Sequence, residues 1–501
     1  MKTEERNCGI LLHPTSLPSR HGIGSLGDEA IKFIDLLSEM KVSLWQILPL
    51  GPTGFGDSPY ASRSAFAGNE LMIDLTLLAF DGYLELSDII VDPFMLTDRI
   101  DYNAVREYKE PLLEKAALSL LDSEDKKDFN KFCKENKYWL DDYALYTILV
   151  KKFNDSRWFL SWDEDLKKRK KSAITKVKSE NKEKIEIVKA IQYFFFKQWH
   201  KVKEYANSKN IQIIGDIPIF VAGDSVDAWT NVELFKMDED YRQIYSAGVP
   251  PDAFSDLGQL WGNPVYDWDK HVKTDFAWWT KRIEATMKMC DIVRIDHFRG
   301  LESYWEVLSS ETTALNGKWV KAPGQLLLDH LKKSVNNLNL IAEDLGVITE
   351  EVEELRDFNN LPGMKILQFA FGYKDGKLDS KNAYLPHHCN YNSVVYTGTH
   401  DNDTTRGWFD KLDDGTKDLI RRYYESSNED IVFKMIRNMF FTNSKWAILP
   451  MQDFLELDSK SRMNTPSTCG SSNWSWRLTS LSFEDWRINR FKDIVEMSDR
   501  A

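Results

Sequence analysis

The sequence contains little cysteine and no long apolar run. Its five cysteines, Cys8, Cys133, Cys290, Cys389 and Cys469, are scattered and form no Cys-x-x-Cys pair. This spacing argues against a disulfide framework and against a zinc site, and favours buried free thiols. No stretch approaches the roughly 18 consecutive apolar residues that a membrane-spanning helix needs. We therefore expect no membrane partner.

An excess of positive charge is also lacking. Lysine and arginine number 65 against 78 aspartates and glutamates, so the net charge is −13, which disfavours nucleic acid as a partner. The Lys-rich segment 166–184 is interrupted by Glu180 and Glu183 and is interpreted as a solvated helix face. The sequence therefore favours a neutral partner.

Motifs for cofactors and metals are missing as well. The chain has no P-loop and no Gly-x-Gly-x-x-Gly segment, so we expect no nucleotide cofactor. The adjacent pair His387-His388 has no third ligand nearby in the sequence, and neighbouring side chains diverge on a strand or helix. We therefore expect no cofactor and no metal.

What the sequence does have is the composition of a globular protein with many aromatic residues. Hydrophobic residues make up 42% and charged residues 29% of 501 residues, which excludes intrinsic disorder. The 17 tryptophans and 19 tyrosines suit stacking on sugar rings, although most of them are expected in the core. The segment 1–7 carries two acids and lacks the apolar core of a secretory signal, which predicts a cytoplasmic location.

Eight short apolar segments predict β-strands, because each is bounded by turn residues or by a helical pattern. They are residues 9–13, 43–49, 211–216, 292–296, 340–343, 364–369, 393–397 and 446–450. Helical patterns such as 28–40 and 325–335 lie between them, and an alternation of strand and helix implies parallel pairing. The sequence therefore predicts an α/β fold, a (β/α)8 TIM barrel.

Two connections between predicted strands are long. Residues from about 64 to 210, between the second and third strands, are mostly helical in pattern and charged, and residues from about 220 to 290, between the third and fourth, are rich in Trp, Asp and Pro. We interpret both as insertions into a single catalytic barrel spanning 1–501. Only 51 residues follow Pro450, too few for a C-terminal β-sandwich domain.

Three acidic residues follow predicted strands: Asp296, Glu343 and Asp401. Carboxylates at strand ends are how barrel enzymes build their sites, and retaining glycoside chemistry needs one carboxylate as nucleophile and one carboxylic acid. Arg294 lies two residues before Asp296, so both side chains share a face of the strand. A guanidinium there is expected to hold Asp296 ionised, which makes Asp296 the candidate nucleophile.

The other two acids receive different roles. Glu343 is the candidate general acid and base, which requires a raised pKa; periodicity leaves open whether Glu343 or its neighbour Asp344 faces the barrel lumen. Asp401 would stay ionised and favour an oxocarbenium-like transition state. A single Asp at a strand end is more often a helix cap, so it is the threefold occurrence that favours catalysis.

Several segments together resemble 4-α-glucanotransferases of the amylomaltase type, glycoside hydrolase family 77 within the wider α-amylase clan. Besides the three acidic motifs, they are GILLHPTSLP (9–18), DSPYAS (57–62), SAFAGN (64–69), GDIPIFV (215–221), GVPPDAFSDLGQLWGNPVYDW (248–268) and NGKWVKAPG (316–324). The resemblance runs over nearly the whole chain.

This resemblance implies roles for individual residues. Asp296 would be the nucleophile, Glu343 the acid and base, and Asp401 the stabiliser of the transition state. The residues implied in substrate binding are Tyr60, Asp216, Arg294, His297 and His400, then Gln259 and Trp261 in a mobile loop (248–261), and Asn464 in another loop. The chain departs from the family pattern at Ser255-Asp256-Leu257, Ser467 and Ser471-Ser472, which is expected to affect acceptor range and loop mobility.

The resulting prediction is an enzyme that cleaves an α-1,4-glucan, holds the fragment on Asp296 as a β-linked ester, and passes it to the 4-hydroxyl of another glucan. The expected partners are α-1,4-glucans and maltooligosaccharides. One alternative is a hydrolase of the amylase or glucosidase type, which the short segment after Pro450 disfavours. Another is a catalytically silent glucan-binding protein, which the presence of all three acids disfavours. Natural donor, preferred acceptor and oligomeric state are left open.

Overall fold

The main sheet is a nearly closed barrel. In a computed structural model, which describes residues 6–124, 126–251, 255–374 and 377–501, eight parallel strands form one sheet in the order β6-β7-β8-β1-β2-β3-β4-β5. The strands are β1 (Asn7–Leu11), β2 (Leu44–Gln46), β3 (Gln212–Pro218), β4 (Ile292–Asp296), β5 (Leu340–Ala342), β6 (Gly363–Ile366), β7 (Ser393–Tyr396) and β8 (Trp446–Pro450). The two edges meet where the N–H of Ala342 donates to the carbonyl of Pro362 at 3.0 Å. The predicted TIM barrel is confirmed.

All eight predicted strands are present, with shifted ends. β4 and β8 have the predicted bounds, whereas β2 covers only Leu44–Gln46 of the predicted 43–49. The N–H of Ile47 still donates to the carbonyl of Ile214 at 2.9 Å, but that of Leu48 donates to His13 Nδ1 at 3.3 Å, so the regular pairing of β2 ends here. The indole N–H of Trp45 donates to the carbonyl of Leu12 at 2.8 Å, which connects β2 to the loop after β1.

Helices fill the connections between strands. The α-helices span Asp28–Glu39, Leu75–Phe80, Tyr102–Asp122, Lys127–Glu135, Lys137–Phe153, Trp158–Ser161, Glu164–Lys167, Lys171–Glu180, Lys182–Ser208, Val226–Thr230, Trp268–Lys273, Ala277–Met289, Gly324–Ser334, Glu350–Phe358, Thr405–Lys411, Asp414–Tyr424, Ile431–Phe440, Met451–Phe454 and Asp485–Met497. The first has two acids in its first turn, where they complement the helix dipole, and buries its apolar face against the barrel. None of the helices in the described part of the chain is long and apolar enough to cross a membrane.

The long segment between β2 and β3 is built on its last helix. Lys182–Ser208 contacts several helices of the segment and sets Trp199 against Trp45 of β2, with ring centroids 6.3 Å apart. Both tryptophans are fully buried. The helices of this segment thus share one core with the barrel.

A second, antiparallel sheet is present that the sequence patterns do not predict. Its strands, in spatial order, are Gln259–Pro264, Tyr245–Val249, Ser303–Leu308 and Lys318–Lys321. Two of them follow β3 and two follow β4. They are short and show no regular alternation of buried and exposed residues, so the period-two signal for a strand is weak.

Two smaller features complete the fold. Tyr373–Lys374 pairs with Lys377–Leu378 as an antiparallel ribbon. Residues 451–501, all of which are described, contain two α-helices and no β-sandwich. The absence of a C-terminal sandwich in this part of the chain agrees with the prediction.

Candidate active site

Three strand ends bring the three acids to one end of the barrel. Asp296 is the last residue of β4, Glu343 directly follows β5, and Asp401 lies in the loop after β7. All three line one open cleft of about 1240 Å³. The carboxyl ends of barrel strands are where barrel enzymes place their catalytic residues.

Arg294 of β4 lies between two aspartates. Its Nη2 is 3.0 Å from Asp296 Oδ1 and its Nη1 is 2.6 Å from Asp216 Oδ2. The first contact follows from the two-residue spacing on one strand, and the second from the register in which Asp216 of β3 pairs with Arg294. The Tyr60 hydroxyl donates to the same Asp216 oxygen at 2.7 Å.

Asp216 lies behind the wall of the cleft. Its side chain is fully buried, and it borders a separate, smaller pocket of about 80 Å³. Tyr60 and Arg294, to which it is bonded, face the cleft. A sugar in the cleft would therefore meet Tyr60 and Arg294, whereas Asp216 is placed to hold those two side chains.

The acids of the site share a single guanidinium. Burial raises the pKa of Asp296 well above its ordinary value, Arg294 opposes the rise, and the negative charges of Asp216, Glu343 and Asp401 add to it. Burial thus outweighs the effect of Arg294 on the pKa of Asp296, and Arg294 divides its charge between Asp296 and Asp216. Burial also raises the pKa of Glu343. The cluster therefore binds a proton more tightly than separate carboxylates would.

Main-chain groups orient Glu343. Its Oε2 accepts from the N–H of His297 at 2.6 Å and its Oε1 from the N–H of Leu345 at 3.0 Å. His297 has a left-handed backbone, with φ of 54°, at the turn that follows β4. Its side chain also lines the cleft.

Asp344 points away from the cleft. It pairs with Arg356, accepts from the N–H of Met364 at 2.7 Å, and is 6% exposed. Of the two adjacent acids, Glu343 is thus the one that faces the cleft. Periodicity alone left this open, because the partners that fix Asp344 come from helix Glu350–Phe358 and from β6.

Asp401 is fixed by the loop after β8. The amide of Asn464 donates to its Oδ1 at 2.6 Å, and Arg462 donates to its main-chain carbonyl at 2.6 Å. His400 Nε2 is 3.4 Å from its Oδ2. His400 itself is buried against Tyr60, with ring centroids 5.2 Å apart, and burial lowers its pKa, so a neutral ring supports Asp401 from behind.

Gln259 and Trp261 approach the site from the second sheet. Trp261 is 37% exposed and sets its ring edge-on to His297, with centroids 4.8 Å apart. Its indole N–H lies 3.3 Å from the side-chain oxygen of Gln259. Both residues line the cleft. Residues 252–254 of the predicted substrate loop lie outside the described residues.

The sequence reasoning missed Trp474 and Arg462. Trp474 lines the cleft, and its ring lies 5.8 Å from that of Tyr60. In a chain with 17 tryptophans, a single one carries no functional signal. Arg462 lies two residues before the predicted Asn464, but its contact with the carbonyl of Asp401 has no sequence signature.

No metal site emerges from the described residues. In this part of the chain no group of three or more His, Cys, Asp or Glu side chains is placed to hold an ion. The pair His387-His388 uses its ring nitrogens elsewhere: His387 Nδ1 is 2.8 Å from the Tyr423 hydroxyl, and His388 Nε2 is 2.8 Å from the Ser380 carbonyl.

An eight-stranded α/β barrel with three carboxylates gathered at its strand ends is the architecture of glycoside-processing enzymes. Residues 12–482 match the glycoside hydrolase family 77 model, described as 4-alpha-glucanotransferase. The chain belongs to this family.

Individual relatives agree over almost the full length. The 4-alpha-glucanotransferase of Streptococcus pneumoniae is 47% identical over 95% of this chain and 94% of its own length. That of Clostridium butyricum is 45% identical over 98% of this chain and 100% of its own. The structure of amylomaltase from Streptococcus agalactiae in complex with acarbose is similar with a TM-score of 0.94 and 41% identity, covering 99% of this chain and 100% of that one.

Proposed function

We propose that this enzyme transfers a segment of an α-1,4-glucan to the 4-hydroxyl of another glucan or of glucose by two successive displacements. One observation carries the proposal: Asp296, Glu343 and Asp401 line a single cleft, each with its own fixed partners. Membership in the 4-α-glucanotransferase family supports the substrate class. We further propose a single catalytic barrel domain with two insertions. The cytoplasmic location stays a prediction.

In the first displacement Asp296 attacks the anomeric carbon of the donor. Arg294 engages Oδ1 of Asp296, which leaves Oδ2 as the attacking atom. Glu343 donates its proton to the glycosidic oxygen, so the bond to the leaving glucan breaks as the ester bond to Asp296 forms. The product is a β-linked glycosyl ester and a free 4-hydroxyl on the leaving glucan.

In the second displacement the acceptor takes the place of the leaving glucan. Its 4-hydroxyl gives its proton to the Glu343 carboxylate and attacks the anomeric carbon, which frees Asp296. Two inversions give net retention of the α configuration. Glu343 is thereby protonated again for the next cycle.

Charge placement supports these roles. Arg294 forms a direct ion pair with Asp296 at 3.0 Å, whereas it acts on Glu343 only from a longer distance. We therefore place the proton of the pair on Glu343. Asp401, held by Asn464, adds a negative charge where positive charge develops on the sugar.

Two other functions use the same residues. A hydrolase would pass the fragment to water. The Trp261 ring, which lines the cleft beside His297, favours transfer because it limits access of water to the ester. A silent binding protein would bind glucans without turnover. No specific observation on the site favours either of them.

Incubation with maltotriose distinguishes the three functions. A transferase gives glucose together with a ladder of longer maltooligosaccharides, which chromatography resolves. Mainly glucose and maltose would identify a hydrolase, and unchanged maltotriose would identify a silent protein.

A further inference from the structure

Two residues from the family-like motifs meet without a role in the chemistry above. Arg299 lies three residues after Asp296, in IVRIDHFRG (292–300), and Trp319 lies in NGKWVKAPG (316–324). The guanidinium carbon of Arg299 lies 3.7 Å from the centre of the Trp319 ring. Both side chains line the cleft, and Trp319 is 38% exposed. A partly exposed indole in a sugar-binding cleft offers a flat apolar surface.

The second sheet fixes the position of Trp319. Trp305 lies directly opposite it on the neighbouring strand, with ring centroids 5.2 Å apart at 66°. The Trp305 indole is anchored on the carbonyl of Ala314 at 2.8 Å. A Cβ on Gly317 would lie 2.2 Å from Trp305 Nε1, so the glycine of the motif makes room for this ring. Trp319 is therefore preorganised, which reduces the entropy lost on binding.

Arg299 is also held in place, by hydrogen bonds of its guanidinium group. It is 4% exposed, and it donates to the Ser303 hydroxyl at 3.2 Å and to the carbonyl of Val347. Val347 belongs to the loop that begins with Glu343. The stack of Arg299 on Trp319 is thus tied to the loop that carries the candidate acid.

Topology places this stack on one side of the barrel rim. Arg299 and Trp319 follow β4, and Val347 follows β5, which are neighbouring strands. The opposite side of the rim, after β7, β8 and β2, carries Asp401, Asn464 and Tyr60. Glu343 is on the same side as Trp319. In the proposed reaction Glu343 protonates the glycosidic oxygen of the leaving glucan. We therefore expect the leaving glucan to extend along this side of the rim, and the acceptor to occupy the same place afterwards.

We propose that Trp319, held by Arg299 and Trp305, is a specificity-determining platform on which a sugar ring of the acceptor glucan stacks beyond the residue that reacts. The inference rests on the proposed transfer reaction and adds to it a preference for longer acceptors. A side pocket of about 210 Å³ borders the stack and shares Arg299, Trp319 and Val347 with the cleft. It is lined with charged groups such as Glu302 and Lys321, which can bond the hydroxyls of a further sugar unit.

The experiment uses α-glucosyl fluoride as donor, so that Asp296 is glucosylated independently of the acceptor, with glucose, maltose, maltotriose or maltotetraose as acceptor. Trp319→Leu keeps an apolar side chain against Arg299 and Trp305 but removes the flat ring, and Trp319→Phe keeps a ring. We expect Trp319→Leu to raise the KM for the longer acceptors about ten-fold, the size of one aromatic stacking contact. The KM for glucose and fluoride release without acceptor should stay unchanged, and Trp319→Phe should retain most of the length preference.

The control is Trp486→Leu. Trp486 is 53% exposed and has Arg487 over its ring at 4.8 Å, but it stands on helix Asp485–Met497 outside the cleft, so its acceptor profile should equal that of the wild type. The platform is refuted if Trp319→Leu has the wild-type acceptor profile. It is also refuted if the variant instead slows loading by maltosyl fluoride relative to glucosyl fluoride, since Trp319 would then bind the donor. A wild type that makes no transfer product at all would overturn the proposed function itself.

Discussion

Replacement of Asp216 by asparagine should shift the pH dependence of the reaction without touching the cleft. Asp216 is fully buried and bonds both Arg294, at 2.6 Å, and Tyr60, at 2.7 Å, through one oxygen. Asparagine keeps the shape and one oxygen acceptor but removes the negative charge. Arg294 then has Asp296 as its one remaining anionic partner within ion-pair distance among the described residues.

The sign of the shift follows from the charges. The charge of Asp216 raises the pKa of Asp296, so its removal lowers that pKa, and the undivided guanidinium of Arg294 acts in the same direction. Two carboxylates that share a guanidinium repel each other by about 2–3 kcal/mol at an effective dielectric of about 20. This corresponds to about two pH units, and relaxation of the site should reduce the shift to about one unit.

The assay is kcat/KM for maltotriose disproportionation against pH. The acid limb reports ionisation of the nucleophile in the free enzyme, so it should move to lower pH by about one unit in Asp216→Asn. The free energy of unfolding, measured in urea, should fall by about 2 kcal/mol, because half of a buried ion pair is lost while Arg294 keeps Asp296.

Asp344→Asn serves as the matched variant. Asp344 is likewise buried and paired with an arginine, Arg356, but its charge raises the pKa of Glu343. Its removal should therefore move the basic limb to lower pH and leave the acid limb in place. The reasoning is refuted if the acid limb of Asp216→Asn stays or rises, or if both variants move the same limb.

Three further predictions follow from the same geometry. Asp296→Asn should have no more than a trace of turnover with an unchanged circular dichroism spectrum, because an amide cannot form the ester; substantial turnover would place the nucleophile elsewhere. Asn464→Ala should lower kcat about ten- to one hundred-fold with little change in KM. Asp401 loses a 2.6 Å hydrogen bond from the Asn464 amide, and this bond matters most when positive charge develops on the sugar in the transition state. An unchanged kcat would contradict this prediction. Exhaustive chelation with EDTA should leave the rate unchanged, because the two displacements use side-chain carboxylates, and a loss restored by calcium would contradict that view.

The barrel was predictable because its strands carry local signals. β4 reads as a continuous apolar run interrupted only by Arg294, and it ends at Asp296 as predicted. Parallel strands buried on both faces have this composition. The end of each apolar run also predicts where the strand ends, and the three acids of the cleft lie at or after such ends.

Side-chain orientations that depend on residues distant in the sequence could not be predicted from the sequence pattern. The orientation of Asp344 depends on Arg356 and on the N–H of Met364, and neither contact has a sequence signature. The burial of Asp216 depends on Tyr60, 156 positions away in the chain. The sharing of Arg294 between two aspartates follows from the register of β3 against β4, and the burial that raises the pKa of Asp296 against the effect of Arg294 exists only in the folded barrel.

The second sheet shows another limit. Strands such as Tyr245–Val249 and Lys318–Lys321 are short and show no alternation of buried and exposed residues, and Lys318–Lys321 has a lysine at each end. The sheet joins two strands that precede β4 to two that follow it, through the pairing of Tyr245–Val249 with Ser303–Leu308, and this pairing has no sequence signature. Trp319 could be noted as part of a motif, but its stacking with Arg299 requires that sheet.

The central claim, transfer through a glycosyl ester on Asp296, is tested most directly by trapping the ester. Glu343→Gln cannot activate the acceptor, but α-glucosyl fluoride has a leaving group that needs little protonation, so the ester should form and accumulate. Trypsin would release Asp296 in the peptide Ile295–Arg299, separate from the peptides that contain position 343 and Asp401. Mass spectrometry should find one glucosyl unit on Ile295–Arg299. A glucosyl unit on any other peptide, with Ile295–Arg299 unmodified, would contradict the account.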